Sequence, residues 1–350
     1  MNEKEGLTTK LGEQVEINGQ LFTFTETLYD GGKIHIGYVV QVNENDQSPI
    51  LFMRNLQLLI DGKSVGYGFG GNESEIKNGV YAGTLSISLT EESEVPDSFV
   101  LGMRPLEGQS WSVDLPVKKK GDHDTFLVNR VEKRKDLTIL YDQITFFPTS
   151  TEISLRLLMD KIAFDDNKHR DIDYQVIDDK GRVLQPFSVG SGTNGTVDGK
   201  VFAHYKNYYE PFQSTPKSLT IKPYIRDSNK TPPKIVRSKW EGEKVTISQG
   251  KIGHFTILNS TLEKGVTTIT FEVEGEDLYR QAVAIWLEDS DGKRYHSEQP
   301  PVLVKGSINQ YQVSFSEAPT LNDLYIATVK MNPPNYLKGL EVTINLKKQL

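Results

Sequence analysis

The chain has 350 residues, with 40 basic and 47 acidic side chains and no cysteine. Its net charge of −7 is small and evenly spread, which argues against a nucleic-acid partner. The lack of cysteine excludes disulfides, thiolate metal sites and thiol nucleophiles. Hydrophobic residues make up 37% of the sequence, so we expect a globular chain that is long enough for two or three domains.

No stretch of the sequence approaches the roughly 20 apolar residues that a membrane-spanning helix needs. Residues 1–6 are polar and contain no signal-peptide core. We therefore expect a soluble chain that would meet a membrane only through an anchor upstream of residue 1.

Short segments with alternating apolar residues follow one another along the chain. In residues 33–40, every second residue from Ile34 to Val40 is apolar, which is typical of a half-buried strand. The stretch 66–71 contains four glycines and predicts a wide loop or an edge bulge. Because we find many short strands and no amphipathic helix, we predict an all-β fold built from β-sandwiches. Further strands are predicted at residues 14–18, 21–28, 80–89, 99–103 and 110–117.

The pattern of the first 120 residues recurs along the chain. Three predicted hairpins end on a glycine followed by a basic residue, at Gly62, Gly181 and Gly292, which stand 119 and 111 positions apart. Residues 78–82 are echoed by residues 198–203. We therefore predict three tandem β-sandwich domains joined by short linkers. The predicted division is a lead-in at 1–12 and domains at 13–121, 122–233 and 234–350.

Two motifs suggest chemistry, but their context favours turns. Residues 62–66 match the G-x-S-x-G elbow of hydrolases, with Ser64 as the nucleophile. That motif requires a turn from a strand into a helix, and here we predict a hairpin tip followed by a glycine-rich loop. The loop would likewise need a helix behind it to bind phosphate. We therefore predict no catalytic residue and a protein that is not an enzyme.

The six histidines show none of the spacings that zinc sites use. His123, between Asp122 and Asp124, is the best single candidate for a metal or pH-sensitive site. A solvent-facing polar residue is the simpler interpretation of each histidine. We predict no metal site and no cofactor.

The aromatic-rich segment 201–212 is the best candidate for a binding surface. Strand alternation places Phe202, His204 and Tyr208 on the face opposite to Val201, and we expect that face to point outward. Such a stripe could stack on sugar rings or contact a partner protein. The alternative interpretation is that the aromatic residues only pack against a neighbouring domain.

Residues 21–38, 111–117 and 216–225 resemble the extracytoplasmic region of a group of Gram-positive bacterial membrane proteins. Those proteins carry immunoglobulin-like domains of unknown function and are assigned, from genome context, as negative effectors, of anti-sigma type, of extracytoplasmic-function sigma factors. Residues 5–10 are similar to the segment that follows their single membrane helix. The resemblance implies three immunoglobulin-like sandwiches on the extracellular face of the cell membrane, and it implies no catalytic residues.

Together these observations predict a non-enzymatic extracytoplasmic sensor or binding region of a membrane-anchored protein. Its partner would be an unknown protein or a cell-envelope ligand, and the resemblance implies regulation of a sigma factor. The alternative function is a cell-surface adhesion or carbohydrate-binding module that uses Phe202, His204 and Tyr208.

Overall fold

The computed structural model describes residues 6–17, 19–42, 56–89, 95–106, 110–134, 137–166, 171–226, 232–297, 299–316 and 324–346. These residues form antiparallel strands with two short helices, so the predicted all-β fold is confirmed. The first five residues of the predicted lead-in, and residues 228–231 of the segment predicted to link the second and third domains, lie outside the described residues. The chain divides into two compact units. The first comprises Met1–Val131, Leu137–Asp160 and Pro186–Thr215, and the second comprises Glu132–Asp136, Lys161–Gln185 and Pro216–Leu350.

The first unit begins with a β-sandwich. Sheet A has the order β1-β3-β4-β8-β7, with β2 beside β3, and sheet B has the order β10-β9-β5-β6. Apolar residues of both sheets, such as Ile36 and Leu101, form one core, as the predicted alternation requires. The strands are β1 (Thr8–Lys10), β2 (Gln14–Ile17), β3 (Gln20–Tyr29), β4 (Lys33–Gln41), β5 (Leu56–Ile60), β6 (Lys63–Val65), β7 (Tyr67–Lys77), β8 (Val80–Leu89), β9 (Ser98–Pro105) and β10 (Val113–Lys118).

The glycine-rich stretch 66–71 is not the loop or bulge that the sequence predicts. Gly68 and Gly70 belong to β7, an edge strand that pairs with β8 from Tyr67 onward. The loop prediction was wrong because strand pairing uses backbone groups, which glycine supplies as well as any other residue. Glycine costs conformational entropy in a strand, and ten residues paired with β8 offset that cost.

The middle of the chain supplies strands to both units. In the first unit, sheet C has the order β11-β12-β13-β16-β15. In the second unit, sheet D contains β14 and β17. The elements are β11 (Asp124–Arg134), β12 (Leu137–Phe146), β13 (Thr151–Asp160), α1 (Lys161–Asp165), β14 (Ile172–Asp178), β15 (Pro186–Val197), β16 (Lys200–Tyr209) and β17 (Ser218–Ile225).

The rest of the second unit contains another pair of sheets. Sheet E has the order β18-β26-β22-β23 and sheet F the order β19-β20-β21-β25-β24, and they share a core that includes Trp240, Phe271 and Ile326. The elements are β18 (Ile235–Trp240), β19 (Val245–Ser248), β20 (Gly253–Glu263), β21 (Val266–Gly275), α2 (Leu278–Val283), β22 (Ile285–Asp289), β23 (Arg294–Tyr295), β24 (Val302–Leu303), β25 (Gln310–Ser316), β26 (Leu324–Val329), β27 (Asn335–Tyr336) and β28 (Val342–Asn345).

The last two strands return to the middle of the chain. Both β27 and β28 pair with β17, so they complete sheet D and do not join sheets E and F. Leu219 and Ile221 of β17 lie opposite Ile344 and Val342 of β28. The division into domains at 13–121, 122–233 and 234–350 stays a prediction.

The predicted hairpin tips share a positive backbone φ at their glycines. Gly181 and Gly292 have φ values of 86° and 83°, which a side chain would strain. In both turns a carboxylate oxygen of the first residue, Asp178 or Asp289, accepts a hydrogen bond of 2.9 Å from the amide four positions later. The tip at Gly62 is a shorter turn between β5 and β6. Two of the three repeated tips therefore have the same turn chemistry.

A tyrosine crosses a glycine in the middle of sheet A. The Tyr38 ring lies over Gly83 of β8, and its hydroxyl donates a 2.9 Å hydrogen bond to Glu73 of β7. A methyl group at Gly83 would overlap the ring. The glycine thus lets one side chain tie three strands together.

We expect Gly83→Ala to lower the free energy of unfolding by about 1–3 kcal/mol, because the Tyr38 ring must move and its hydrogen bond is lost. Urea unfolding measures this change. Gly70→Ala is the matched control, since a methyl group there meets no atom within 4 Å. Equal stability of the two variants would contradict this account of Tyr38.

Candidate functional site

The first unit contains a cavity of about 630 Å³. One side is formed by the turn between β3 and β4 and by residues that flank β9 and β10, and the other side by a face of sheet C. Its size lies within the range of small-molecule sites, which span about 300–1,000 Å³. Among the parts of the chain that the structure describes, this is the best candidate for a binding site.

Polar side chains of sheet C form the floor of the cavity. Along β13, Ile153, Leu155 and Leu157 are buried on one face, so strand alternation leaves Glu152, Ser154 and Arg156 on the other. The same alternation on neighbouring strands adds the other polar residues. The floor consists of Asp142, Gln143, Thr145, Glu152, Ser154, Arg156, His204 and Lys206.

Two pairs of floor residues hold each other in place. The Arg156 guanidinium donates to both carboxylate oxygens of Asp142, at distances between 2.5 and 3.1 Å. Ser154 Oγ and His204 Nε2 are 2.7 Å apart, and both residues are buried. Such pairing fixes the positions of the polar groups that face the cavity before any ligand arrives.

The turn between β3 and β4 is attached to sheet C by a buried carboxylate. Asp30 is fully buried and accepts hydrogen bonds from Gly32 N at 3.1 Å, Thr149 N at 3.0 Å and Thr149 Oγ1 at 2.5 Å. A buried charge is tolerated only when hydrogen bonds replace its hydration. The Phe147 ring packs against the Gly32 backbone, where a Cβ atom would lie only 2.7 Å from the ring.

A buried lysine makes a second connection. Lys33 is 5% exposed, and its ammonium lies 4.0 Å from the centroid of the Tyr208 ring. Burial lowers the pKa of Lys33 to about 8, although the Glu152 and Asp30 carboxylates oppose that shift. Burial raises the pKa of Tyr208, and the Glu152 carboxylate, to which its hydroxyl is hydrogen-bonded, raises it further. These groups form one connected polar cluster beside the cavity.

The walls of the cavity combine apolar and polar residues. Edge strand β11 contributes Thr125, Leu127 and Asn129, and Leu127 is 72% exposed. The His123 ring packs on the Phe147 ring, with centroids 5.1 Å apart. The polar groups placed around the cavity could fix the orientation of a small polar molecule.

The three residues predicted for binding have different environments. His204 lies in the floor of the cavity and is 7% exposed. Tyr208 is 1% exposed and lies beneath Lys33, so it offers no open aromatic surface. Phe202 is partly buried and its ring covers Gly195 of β15. A binding role for these residues stays a prediction, and the expected outward-facing stripe is largely covered.

Sequence reasoning missed Asp30, Lys33, Arg156 and Lys206. The repeat offset contained a signal for the first of them, since Asp30 and Thr149 occupy equivalent positions 119 residues apart. No comparable pattern marks the other three, because each is a charged residue on an ordinary strand.

The described residues contain no group of three or more His, Asp or Glu side chains that could hold a metal ion. Ser64 is exposed on β6, and strand β7 follows it where a nucleophile elbow would require a helix. Within the described ranges, no helix is long and apolar enough to span a membrane.

Comparison with known proteins gives one family match. Residues 123–249 match the model of a family of unknown function, DUF5643. No curated protein matches the chain. A crystal structure described as that of the conserved domain protein from Bacillus anthracis is 14% identical, and the match covers 69% of this chain and 84% of that chain with a TM-score of 0.48. The family match includes every strand that forms the cavity floor.

Lys33 should make stability depend on pH. Its native pKa of about 8 lies below the roughly 10.4 of an unfolded lysine, so between these values the unfolded state binds the extra proton. The free energy of unfolding therefore rises with pH in this window. From pH 7 to 9.5 we expect the wild type to gain about 1–2 kcal/mol relative to Lys33→Met.

Urea unfolding at both pH values tests this expectation. Lys63→Met, at an exposed position on β6, should follow the wild-type pH profile. If Lys33→Met also follows the wild-type profile, Lys33 is charged and solvated in the native state, contrary to its buried position.

Proposed function

We propose that this chain is a non-enzymatic binding region that takes a small polar ligand into the cavity of its first unit. The observation that carries the proposal is the cavity itself, whose floor combines nine-tenths-buried polar side chains with fixed hydrogen-bond partners. Ser154 and His204 contact each other across the floor, and Asp142 holds Arg156. Polar groups fixed in this way lose little entropy on binding, which favours recognition.

The two sides of the cavity support the proposal of a sensing role. A ligand in it would contact both the β3–β4 turn region and sheet C, so binding would stabilise one arrangement of these elements. We propose that the chain works on the extracellular face of a membrane-anchored protein and reports the ligand to a cytoplasmic sigma factor. The support for this location and output is the resemblance of residues 21–38, 111–117 and 216–225 to the anti-sigma group.

Adhesion through carbohydrate binding is the second candidate. Thr125, Asn129, Gln143 and Thr145 provide uncharged hydroxyl and amide groups around the cavity, which suit the hydroxyls of a sugar. The covered position of Tyr208 removes one stacking platform, so recognition would depend on hydrogen bonds. An adhesion module would bind immobilised cell-wall polysaccharide without altering sigma-dependent transcription.

Ligand binding in the cavity should require the polar side chains of its floor. In a thermal-shift screen of cell-envelope sugars and peptides, a ligand that raises the melting temperature of the wild type should bind Arg156→Gln at least about tenfold more weakly, since the guanidinium faces the cavity. Titration calorimetry measures the two dissociation constants. Arg226→Gln is the matched control, because Arg226 makes the same forked pair with Asp173 in the second unit. Equal weakening by both variants, or by neither, would remove the cavity as the binding site.

Sensing should require this region in the cell. We expect deletion of residues 13–350 from the membrane-anchored protein to change the activity of a reporter for its sigma factor, because the ligand-dependent signal is lost. Arg156→Gln in the intact protein should alter the response to the ligand while the protein level on immunoblots stays unchanged. Unchanged reporter activity after the deletion would leave adhesion as the better hypothesis.

A further inference from the structure

We infer that the ligand of the cavity carries a single carboxylate on a body rich in hydroxyl or amide groups. This inference rests on the proposed function and names the chemical class of its ligand. The inference is based on a comparison of the charged groups beside the cavity. Some of them already have a partner of opposite charge, and others do not.

Most charges that line the cavity are compensated within the protein. Asp142 compensates Arg156 through the forked pair. The carboxylate of Asp97 lies 3.4 Å from Lys119 Nζ. Two charged residues of the floor, Glu152 and Lys206, belong to neither pair.

Glu152 has a positive charge close by. Glu152 is 4% exposed. Its carboxylate favours the charged form of the buried Lys33 and is hydrogen-bonded to Tyr208. A ligand that approaches Glu152 therefore meets a carboxylate that already has Lys33 as a neighbour of opposite charge.

Lys206 differs from the other charged groups of the cavity. It lies on β16 directly opposite Ser154, lines the cavity, and is partly buried. Within the described part of the chain, its ammonium has no carboxylate partner. On the same strand, Lys200 does have one, because Asp160 Oδ1 lies 3.9 Å from its Nζ. Among the described residues that line the cavity, Lys206 is thus the positive charge without a carboxylate partner.

The neighbours of Lys206 indicate what else the ligand presents. Thr125, Asn129, Gln143 and Thr145 offer uncharged donors and acceptors, and the Ser154–His204 pair is buried beside them. One positive charge matches a monoanion, whereas a phosphate dianion would require more compensation. A carboxylate with hydroxyl or amide neighbours satisfies all of these groups, and both an acidic amino sugar and the carboxyl end of a short peptide have this chemistry.

Two pairs of probes separate the carboxylate from the rest of the ligand. N-acetylmuramic acid differs from N-acetylglucosamine by a lactyl group with one carboxylate, and acetyl-Ala-Ala differs from its C-terminal amide by a carboxylate that an uncharged carboxamide replaces. We expect titration calorimetry with the full chain to give at least about tenfold tighter binding for the acid of one pair. Which pair shows the effect identifies the sugar or the peptide as the source.

Lys206→Gln should abolish the preference for the acid, and Lys206→Arg should retain it. Lys200→Gln is the matched control on the same strand and should behave as the wild type. Thermal melts of each variant separate loss of binding from loss of folding. The rescue by arginine distinguishes recognition of the charge from a purely structural role of the side chain.

Equal affinity for acid and neutral probe, or a preference that survives Lys206→Gln, would overturn the inference. If the neutral probes bind and Arg156→Gln weakens them, the cavity remains the binding site and only the carboxylate assignment fails. If none of the four probes binds, the carboxylate assignment fails for both sources. The wider ligand screen with Arg156→Gln then decides separately on the proposed function.

Discussion

The buried carboxylate of Asp30 is the constraint on which the cavity depends. An ionised group without solvent is costly unless hydrogen bonds replace its hydration, and Asp30 has three donors, two of them from Thr149. The two residues are equivalent positions of consecutive repeats. Their contact joins the β3–β4 turn to the β12–β13 turn and so places Lys33 over Tyr208. Together with the packing of Phe147 on Gly32, it fixes one side of the cavity relative to the other.

The repeats also reuse a pair of side chains in different surroundings. His35 Nδ1 and Ser86 Oγ are 2.8 Å apart in sheet A, and Ser154 Oγ and His204 Nε2 are 2.7 Å apart in sheet C. Burial lowers the pKa of His35 to about 4, so that ring is neutral at physiological pH. The first pair does not line the cavity and the second does. The fold therefore repeats the contact, and the position relative to the neighbouring turn decides whether a ligand can reach it.

Strand alternation predicted much of the fold, because the side-chain period of two depends only on local backbone geometry. It correctly predicted that the alternating apolar residues of β4 from Ile34 to Val40 are buried. It also correctly predicted that Tyr208 lies on the face opposite to Val201. It could not predict that Tyr208 is covered, since the covering residue, Lys33, belongs to another repeat. The strand at β7 was missed for a different reason. Its glycines have low strand propensity, yet pairing with β8 supplies the backbone hydrogen bonds that hold it.

The net charge of the sequence argues against a nucleic-acid partner, but it says nothing about a small charged ligand. A charge of −7 spread over the surface acts through water and salt, where interactions fade within about 8–10 Å. A small ligand in the cavity instead meets charges a few ångströms away, and most of these cancel in pairs such as Asp142 with Arg156. Among the described residues that line the cavity, Lys206 has no such partner, and its sign is opposite to that of the whole chain. An acidic protein can in this way present a site for an acidic ligand, because pairing on the strand face, and not overall composition, determines which charge is left over.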